Sequence, residues 1–245
     1  MKKEFLNEFV INSEHDNEFH INHINQIIAC NIETKYNSKE YSILSSLFNG
    51  FIQVATKCMC CNAESYMYES FLNLQLSIPQ KNNFMNKEVS LYNCLDEFIN
   101  YEQLDEHNMR SCDLCGLSNR AYKRTLLWKT SKILTIHLKR FSNYDMITGI
   151  TSEKITKNII YPIENLDLTK YFTYNSPYKF KTIYDLVGIN IHKTLNHKKS
   201  IDSGHYISII KNLFTNKWYL YNDDDEVKEL NPDYDLQTKD AYILF

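Results

Sequence analysis

No run of this 245-residue chain approaches the ~18 consecutive apolar residues of a membrane-spanning helix, which excludes an integral membrane protein of the helical type. The start, Met1-Lys2-Lys3-Glu4-Phe5-Leu6-Asn7-Glu8-Phe9-Val10, carries acids where a signal peptide needs an unbroken apolar stretch. The expected compartment is therefore the cytosol or nucleus, of a host cell if the source is a virus. A basic excess is missing too. Lysine and arginine number 27 against 30 acidic residues, a net charge of −3, so no global positive field draws the chain to nucleic acid or anionic lipid. Partners should be proteins or small molecules, with neither nucleic acid nor membrane among them. No internal repeat sets a fixed period. Glycine (5) and proline (4) are scarce beside 18 tyrosines, a compositional bias that says more about the source than about chemistry. Seven cysteines, an odd number without a secretory signal, argue against a disulfide framework and for metal ligands plus free thiols. The 43% hydrophobic content can supply the core of one large or two modest domains.

Along the chain, Phe5, Leu6, Phe9 and Val10 recur at helical spacing and predict a short amphipathic helix. Residues 11–38 are polar, rich in Asn and His and weakly patterned, and read as a loop or insertion. His15, His20 and His23 within it lack the carboxylate or cysteine spacing of a metal site. Leu44, Leu47 and Phe48 mark a helix ending at Asn49-Gly50. Ser90 caps another, because Leu91, Cys94, Leu95, Phe98 and Ile99 fall on one helical face and make Cys94 a core thiol. Strand-like runs follow at Ala121–Trp128, Ile133–Phe141, Leu186–His192, His205–Lys211, Lys217–Asn222 and Ala241–Phe245, so the second half is mostly antiparallel sheet. The stretch from His192 to Ser200 reads as a mobile loop before His205.

Two of these runs bring chemistry together. With a four-residue loop Asn212 to Thr215, Lys211 faces Asn216, His205 faces Asn222, Ile207 faces Leu220 and Ile209 faces Trp218. Opposed residues have Cβ atoms only ~5 Å apart, close enough for an amide oxygen to hold an imidazole N–H. A slip of one residue puts Asp223 there instead, so Asn222 and Asp223 stand as alternative orienting residues for His205, the base half of a hydrolase triad.

Cys58-Met59-Cys60-Cys61 and Cys112-Asp113-Leu114-Cys115 each contain a Cys-x-x-Cys. Two such pairs on hairpin tips suit one tetrahedral zinc ion. Gly116 helps the second pair turn tightly, and the segment between the pairs must be an excursion between two knuckles. Cys60 can replace Cys61, but the matching spacing favours Cys58, Cys61, Cys112 and Cys115 as ligands. Neither pair opens a helix after a strand, as a redox Cys-x-x-Cys would.

These residues together resemble the ubiquitin-specific protease family of cysteine deubiquitinases. Ser45 to Gly50 with Thr56-Lys57-Cys58 is similar to the helix leading into the family's first zinc knuckle, and Tyr68 to Leu76 to the strand after it. Cys112 to Gly116, Ala121 to Arg124 and Ile133 to Phe141 are similar to the second knuckle and the following palm strand. Gly204-His205-Tyr206, Trp218 to Asp223 and Ala241 to Phe245 resemble the histidine box, the third-residue strand and the C-terminal strand. The likeness runs from about residue 40 to the end, and Glu4-Phe5-Leu6 resembles the tail of the family's glutamine-aspartate box.

The resemblance implies an α+β, papain-like hand fold: a mostly antiparallel palm at about 131–245 and zinc-ribbon fingers at about 50–130. Residues 1–39 are then an N-terminal helix and variable loop, a remnant of thumb or insertion, before the catalytic-domain portion 40–245. It implies ubiquitin or ubiquitinated proteins as partners, structural zinc as cofactor, His205 as the base, Asn222 as the third residue and Asp223 assisting. No Gly-Asn-Thr-Cys box of the thumb type occurs, and Cys30 lacks its flanking Gly-Asn. The nucleophile is thus expected from outside this chain, on an upstream segment or a separate thumb-bearing polypeptide. The alternatives are an inactive ubiquitin-binding scaffold and a zinc-ribbon nucleic-acid binder, the latter disfavoured by the charge balance.

Overall fold

A computed structural model describes residues 18–40, 42–79, 88–105, 109–141, 154–180, 182–194 and 204–245. The chain opens with α1 (Glu18–Glu40), α2 (Ile43–Phe48), β1 (Gly50–Cys58), β2 (Glu64–Phe71), β3 (Leu74–Ser77), β4 (Val89–Ser90) and α3 (Leu91–Phe98). Next come β5 (Glu102–Gln103), β6 (Arg110–Ser111), β7 (Ser118–Asn119), β8 (Ala121–Lys129), β9 (Ile136–Lys139), β10 (Ile159–Ile160), β11 (Leu166–Asp167) and a 3-10 turn (Thr169–Tyr171). β12 (Ile183–Tyr184), β13 (Gly188–Thr194), β14 (Gly204–Asn212), β15 (Lys217–Tyr221), β16 (Lys228–Leu230), α4 (Pro232–Asp235) and β17 (Ala241–Leu244) complete it. Among the described residues no helix is long and apolar enough to cross a membrane. The helix expected around Phe5 to Val10, and His15, lie outside the described residues, as does the expected loop from Leu195 to Ser200, whereas its first residues, His192 to Thr194, are the paired end of β13 and not a loop.

Two compact units interleave along the chain rather than meeting at one boundary near residue 130. The first gathers residues 1–72, 99–132 and 168–182; the second gathers 73–98, 133–167 and 183–245. The run from Tyr68 to Leu76, read above as one strand, is two: β2 belongs to the first unit and β3 to the second.

In the first unit the sheet order is β2-β1-β8-β5. Its core packs Phe51, Tyr68 and Trp128 with Ala29 of α1, and the Tyr68 and Trp128 rings meet edge-on at 5.1 Å. Gly50 opens β1 because the backbone passes close to Phe71: a methyl group there would lie 2.4 Å from the Phe71 ring and 2.8 Å from the Lys129 carbonyl oxygen. Asn49 does cap α2, but in an extended conformation, and the helix start is fixed by a Ser42 and Ser45 capping box.

The loop expected over 11–38 is contradicted over most of its length, since α1 is helical from Glu18 to Glu40. Its buried face carries Asn25, Ala29 and Glu33 beside the half-buried Ile28, Ile32 and Tyr36, so the helical period is written partly in polar residues. Their partners come from distant sequence. Glu33 takes an ion pair from Lys129 and a 3.0 Å hydrogen bond from the Tyr178 hydroxyl, and Gln26 Nε2 donates to the Asn175 carbonyl at 2.8 Å.

In the second unit the seven-stranded order is β16-β15-β14-β13-β17-β9-β3, with only β3–β9 parallel, which agrees with the expected antiparallel character. α3 buries Leu91, Cys94 and Leu95 as its spacing required, with Ser90 and Asn93 exchanging capping hydrogen bonds. Arg140, fully buried, donates to the carbonyls of Ala241, Ile155 and Lys157 and so ties β17 to the chain before β10. The Lys154 side chain is fully buried as well. It donates to the His192 carbonyl, to Thr194 Oγ1 at 3.3 Å and to Asp240 Oδ1 at 2.8 Å, pinning the end of β13 that pairs with the start of β14.

Removing one partner of a buried pair leaves the other charge uncompensated, at a cost of about 3–5 kcal/mol. Lys154→Met is therefore expected to lower the unfolding free energy by roughly that amount in urea titration, and a loss under ~1 kcal/mol is inconsistent with the clamp.

Candidate active site and metal centre

Each Cys-x-x-Cys sits at a hairpin tip of the first unit, between β1 and β2 and between β6 and β7. The two tips repeat one backbone pattern. Asn62 N–H bonds to the Cys58 carbonyl and Cys58 N–H to that of Ala63; Gly116 N–H bonds to the Cys112 carbonyl and Cys112 N–H to that of Leu117. The residue after each pair turns left-handed, Asn62 at φ 59° and Gly116 at φ 68°. Sequence inspection singled out Gly116; Asn62 has the same role and was legible from the tolerance of Asn for that region.

The four sulfurs of Cys58, Cys61, Cys112 and Cys115 lie within 4.8 Å of one another, with Cys58–Cys115 at 4.0 Å and Cys61–Cys112 at 3.6 Å. Ligand bonds of ~2.3 Å in a tetrahedron set sulfurs ~3.8 Å apart, so this set fits a thiolate-bound metal ion. Cys60 is exposed and outside the cluster, its N–H directed at Cys58 Sγ at 3.4 Å. The thiols also strain against one another electrically. The N–H groups of Cys115 and Leu114 help hold Cys112 down to about 7. The Leu117 N–H favours the Cys115 thiolate, yet burial and the three other thiols push Cys115 up to about 12. A dication removes that conflict.

In the second unit β14 lies between β13 and β15, and its first residues carry His205. The hairpin register differs from the expected one. Asn212 pairs with Lys217, Ile209 with Leu220 and Lys211 with Trp218, a shift of two residues, because the four-residue loop is Leu213 to Asn216. A shift of two keeps every side chain on its face. Asn222 therefore still points at His205, one residue beyond the ladder's last pair, Ser208 with Tyr221.

His205 Nε2 lies 2.5 Å from Asn222 Oδ1 and 3.7 Å from Asp223 Oδ2. Since an amide oxygen only accepts, Nε2 carries the proton in the neutral ring and Nδ1 is left as the basic nitrogen. Asp223, at φ 44° and with its side chain 75% exposed, touches the ring only distantly. The structure thus brings all three residues together and gives the direct hydrogen bond to Asn222. Asp225, which sequence reasoning passed over within its acidic run, accepts a hydrogen bond from Asn222 Nδ2.

Behind Gly204 lies His192, fully buried and packed against Tyr206 at 4.7 Å and Phe141 at 5.4 Å. A methyl group on Gly204 would lie 1.9 Å from His192 Nε2, so the residue before His205 has to be glycine. Burial, then the Lys154 charge, holds the His192 pKa below the usual histidine value, with Asp240 opposing.

The sequence model of the family described as ubiquitin carboxyl-terminal hydrolase matches residues 2–245. The chain belongs to the ubiquitin carboxyl-terminal hydrolase family. It is 31% identical over 214 residues to a probable ubiquitin carboxyl-terminal hydrolase of Acanthamoeba polyphaga mimivirus, covering 86% of this chain and 42% of that protein. It is 29% identical over 211 residues to ubiquitin carboxyl-terminal hydrolase 2 of Gallus gallus, covering 86% and 54%. The hydrolase-family chain thus spans about half the length, or less, of these relatives. Its fold is similar to a SAGA DUB module containing Ubp8, Sgf11, Sus1 and Sgf73 bound to monoubiquitin, at TM-score 0.65 and 27% identity over 91% of this chain and 46% of that one. A yeast SAGA DUB module matches at TM-score 0.66 and 26% identity, covering 93% and 48%.

Two outcomes follow for this family member. Purified protein should carry about one equivalent of tightly bound metal by elemental analysis, and Cys112→Ser should unfold the first unit, because a thiolate site contributes of order ~10 kcal/mol to folding. Retention of structure after chelation contradicts this.

The second concerns pH. A histidine whose native pKa is depressed binds fewer protons folded than unfolded, so stability falls as pH drops below the unfolded value of ~6.5. The denaturation midpoint should fall between pH 7.5 and 5.5 more in wild type than in His192→Gln. Equal falls exclude His192 as a source; His137, whose pKa burial also lowers, accounts for part of what remains.

Proposed function

We propose that this chain is the base-bearing part of a ubiquitin-specific protease-type deubiquitinase, hydrolysing isopeptide bonds at the ubiquitin C-terminus by thiol-dependent catalysis. The observation that carries this reading is the 2.5 Å hydrogen bond from His205 to Asn222, which leaves Nδ1 as the basic nitrogen. In this reading Nδ1 takes the proton of a nucleophilic thiol, the thiolate attacks the terminal glycine carbonyl, and the imidazolium returns the proton to the leaving lysine amine. Asn222 fixes the tautomer, and Asp223 adds a screened negative charge.

The thiol comes from outside this chain. Support lies in the seven cysteines themselves. Four form the sulfur cluster that suits a metal ion, and Cys60 is exposed beside it. Cys94 is buried on the inner face of α3, and burial pushes it up to about 11. Cys30 is in the middle of α1, away from the helix N-terminus that would favour a thiolate. Among the described residues the side-chain partners of His205 are Asn222 and Asp223, not a thiol. That same observation favours a second reading, a ubiquitin-binding scaffold without turnover. In both readings the metal is zinc in a structural role, since four soft thiolates leave no open coordination position.

The test supplies a segment carrying a Gly-Asn-Thr-Cys box, in cis or in trans, and follows a fluorogenic amide on the ubiquitin C-terminus. Cleavage should appear only with that segment. His205→Ala should then abolish it, and Asn222→Ala should lower kcat by ~10²–10⁴ with a smaller change in KM. Ubiquitin binding without cleavage under every arrangement selects the scaffold. A covalent adduct between the isolated chain and a ubiquitin electrophile, lost in Cys30→Ala, overturns the assignment of the nucleophile.

A further inference from the structure

A carboxamide differs from a carboxylate in having one end that accepts and one that donates. If Asn222 turns its Oδ1 to His205, the imidazole carries its proton on Nε2 and Nδ1 is basic. If the amide rotates by half a turn, Nδ2 faces the ring, Nε2 becomes the acceptor and the proton moves to Nδ1. Nothing in the shape of the amide distinguishes the two states, so an outside group has to select one.

We propose that Asp225 is that group, a positioning residue that fixes the polarity of the Asn222 amide and through it the tautomer of His205. Asn222 Nδ2 donates to Asp225 Oδ2, and an ionised carboxylate can only accept, so it favours the NH₂ end and repels the oxygen end. The backbone holds Asp225 in place for this. Its N–H bonds to the Asn222 carbonyl at 2.9 Å, closing a turn in which Asp223 takes φ 44°. The turn therefore aims the two flanking carboxylates differently: Asp225 at the far end of the amide, Asp223 at 3.7 Å from the ring itself. Lys193, the cross-strand partner of His205, is the other charged residue in register with it.

The consequence for catalysis rests on the base role proposed above, but the tautomer does not, and it can be read on the protein alone. Long-range ¹H–¹⁵N correlation of histidine-labelled protein at pH 7.5 reports which ring nitrogen carries the proton. Wild type should show His205 protonated at Nε2. Asp225→Ala should lower the Nε2-H to Nδ1-H ratio about three- to tenfold, as expected for losing one hydrogen bond at an exposed site. Asp225→Asn, which can still present an amide oxygen to Nδ2, should restore most of the ratio.

The decisive arm is Asn222→Asp. Both ends of that side chain accept, so adding Asp225→Ala should leave the tautomer unchanged. An unaltered ratio in Asp225→Ala with the Ile207 and Ile209 methyl signals in place overturns the proposal. So does an equal effect in the Asn222→Asp background, which would assign Asp225 a general charge effect. Should Asp225→Ala disturb the hairpin, the Asp225→Asn and Asn222→Asp pair decides alone, because a tautomer that follows charge rather than amide polarity changes in the first. In a reconstituted enzyme Asp225→Ala should reduce kcat in proportion to the fraction of His205 that keeps its proton on Nε2, with KM unchanged. Loss of activity without a tautomer change contradicts positioning, while a tautomer change in an inactive protein leaves the proposal standing and the enzymatic reading refuted.

Discussion

The arrangement around His205 depends on β14 being paired along both edges, to β13 and to β15. A strand with two partners cannot slide without breaking both ladders, so the position of one imidazole is set by the whole sheet. Close approach tightens this further. Gly204 passes against the buried His192 ring with no room for a side chain, and Lys154 grips the His192 carbonyl and Asp240. The apolar residues following His205 on the same face, Ile207 and Ile209, are buried, which fixes which way the histidine points.

The hairpin shows what a sequence can and cannot disclose. Alternation of Ile207, Ile209, Trp218 and Leu220 determines the face, and hence that Asn222 meets His205, but it cannot separate registers that differ by two. Turn chemistry makes that choice. Asn212 Oδ1 accepts the N–H groups of Phe214 and Thr215, and Asn216 takes φ 56°, so the loop starts one residue later than apolar spacing suggests. The contact between His205 and Asn222 was legible as one of two alternatives, Asp223 being the other, and the ladder beneath it only to within that even shift. Helix α1 was not legible, because Asn25 and Glu33 occupy buried positions whose partners, Lys129 and Tyr178 for Glu33, are about a hundred or more residues away. A hydrophobic period cannot reveal a face built from paired polar groups.

The cysteine pairs were readable for the opposite reason. Spacing within each pair is a local constraint, since two thiols three residues apart on a tight turn share one side of a knuckle wherever the rest of the chain goes. What spacing leaves open is the path between them. Here that path leaves the first unit at Leu72, builds β3 and α3 in the second, and returns at Ile99, so the fifty-residue interval reflects interleaved units. The repeated hydrogen bonds at Asn62 and Gly116 show that the knuckles are matched by backbone conformation as well as by sulfur.

A neutral hydrogen-bond partner for an imidazole carries a specific physical trade. A carboxylate beside an imidazole stabilises its charged form and needs no orientation, because both oxygens accept. An amide gives up that charge and acquires two inequivalent ends. The acidic run after Asn222 answers both losses separately. Asp223, largely exposed, returns a negative charge screened to roughly 0–1 kcal/mol, while the Asp225 carboxylate meets the amide's donor end. Since each of these groups is held by the same turn, displacing that turn would change the field at the ring and the polarity of its partner together. The Asn222 side chain is thus governed less by the strand it follows than by the three residues after it.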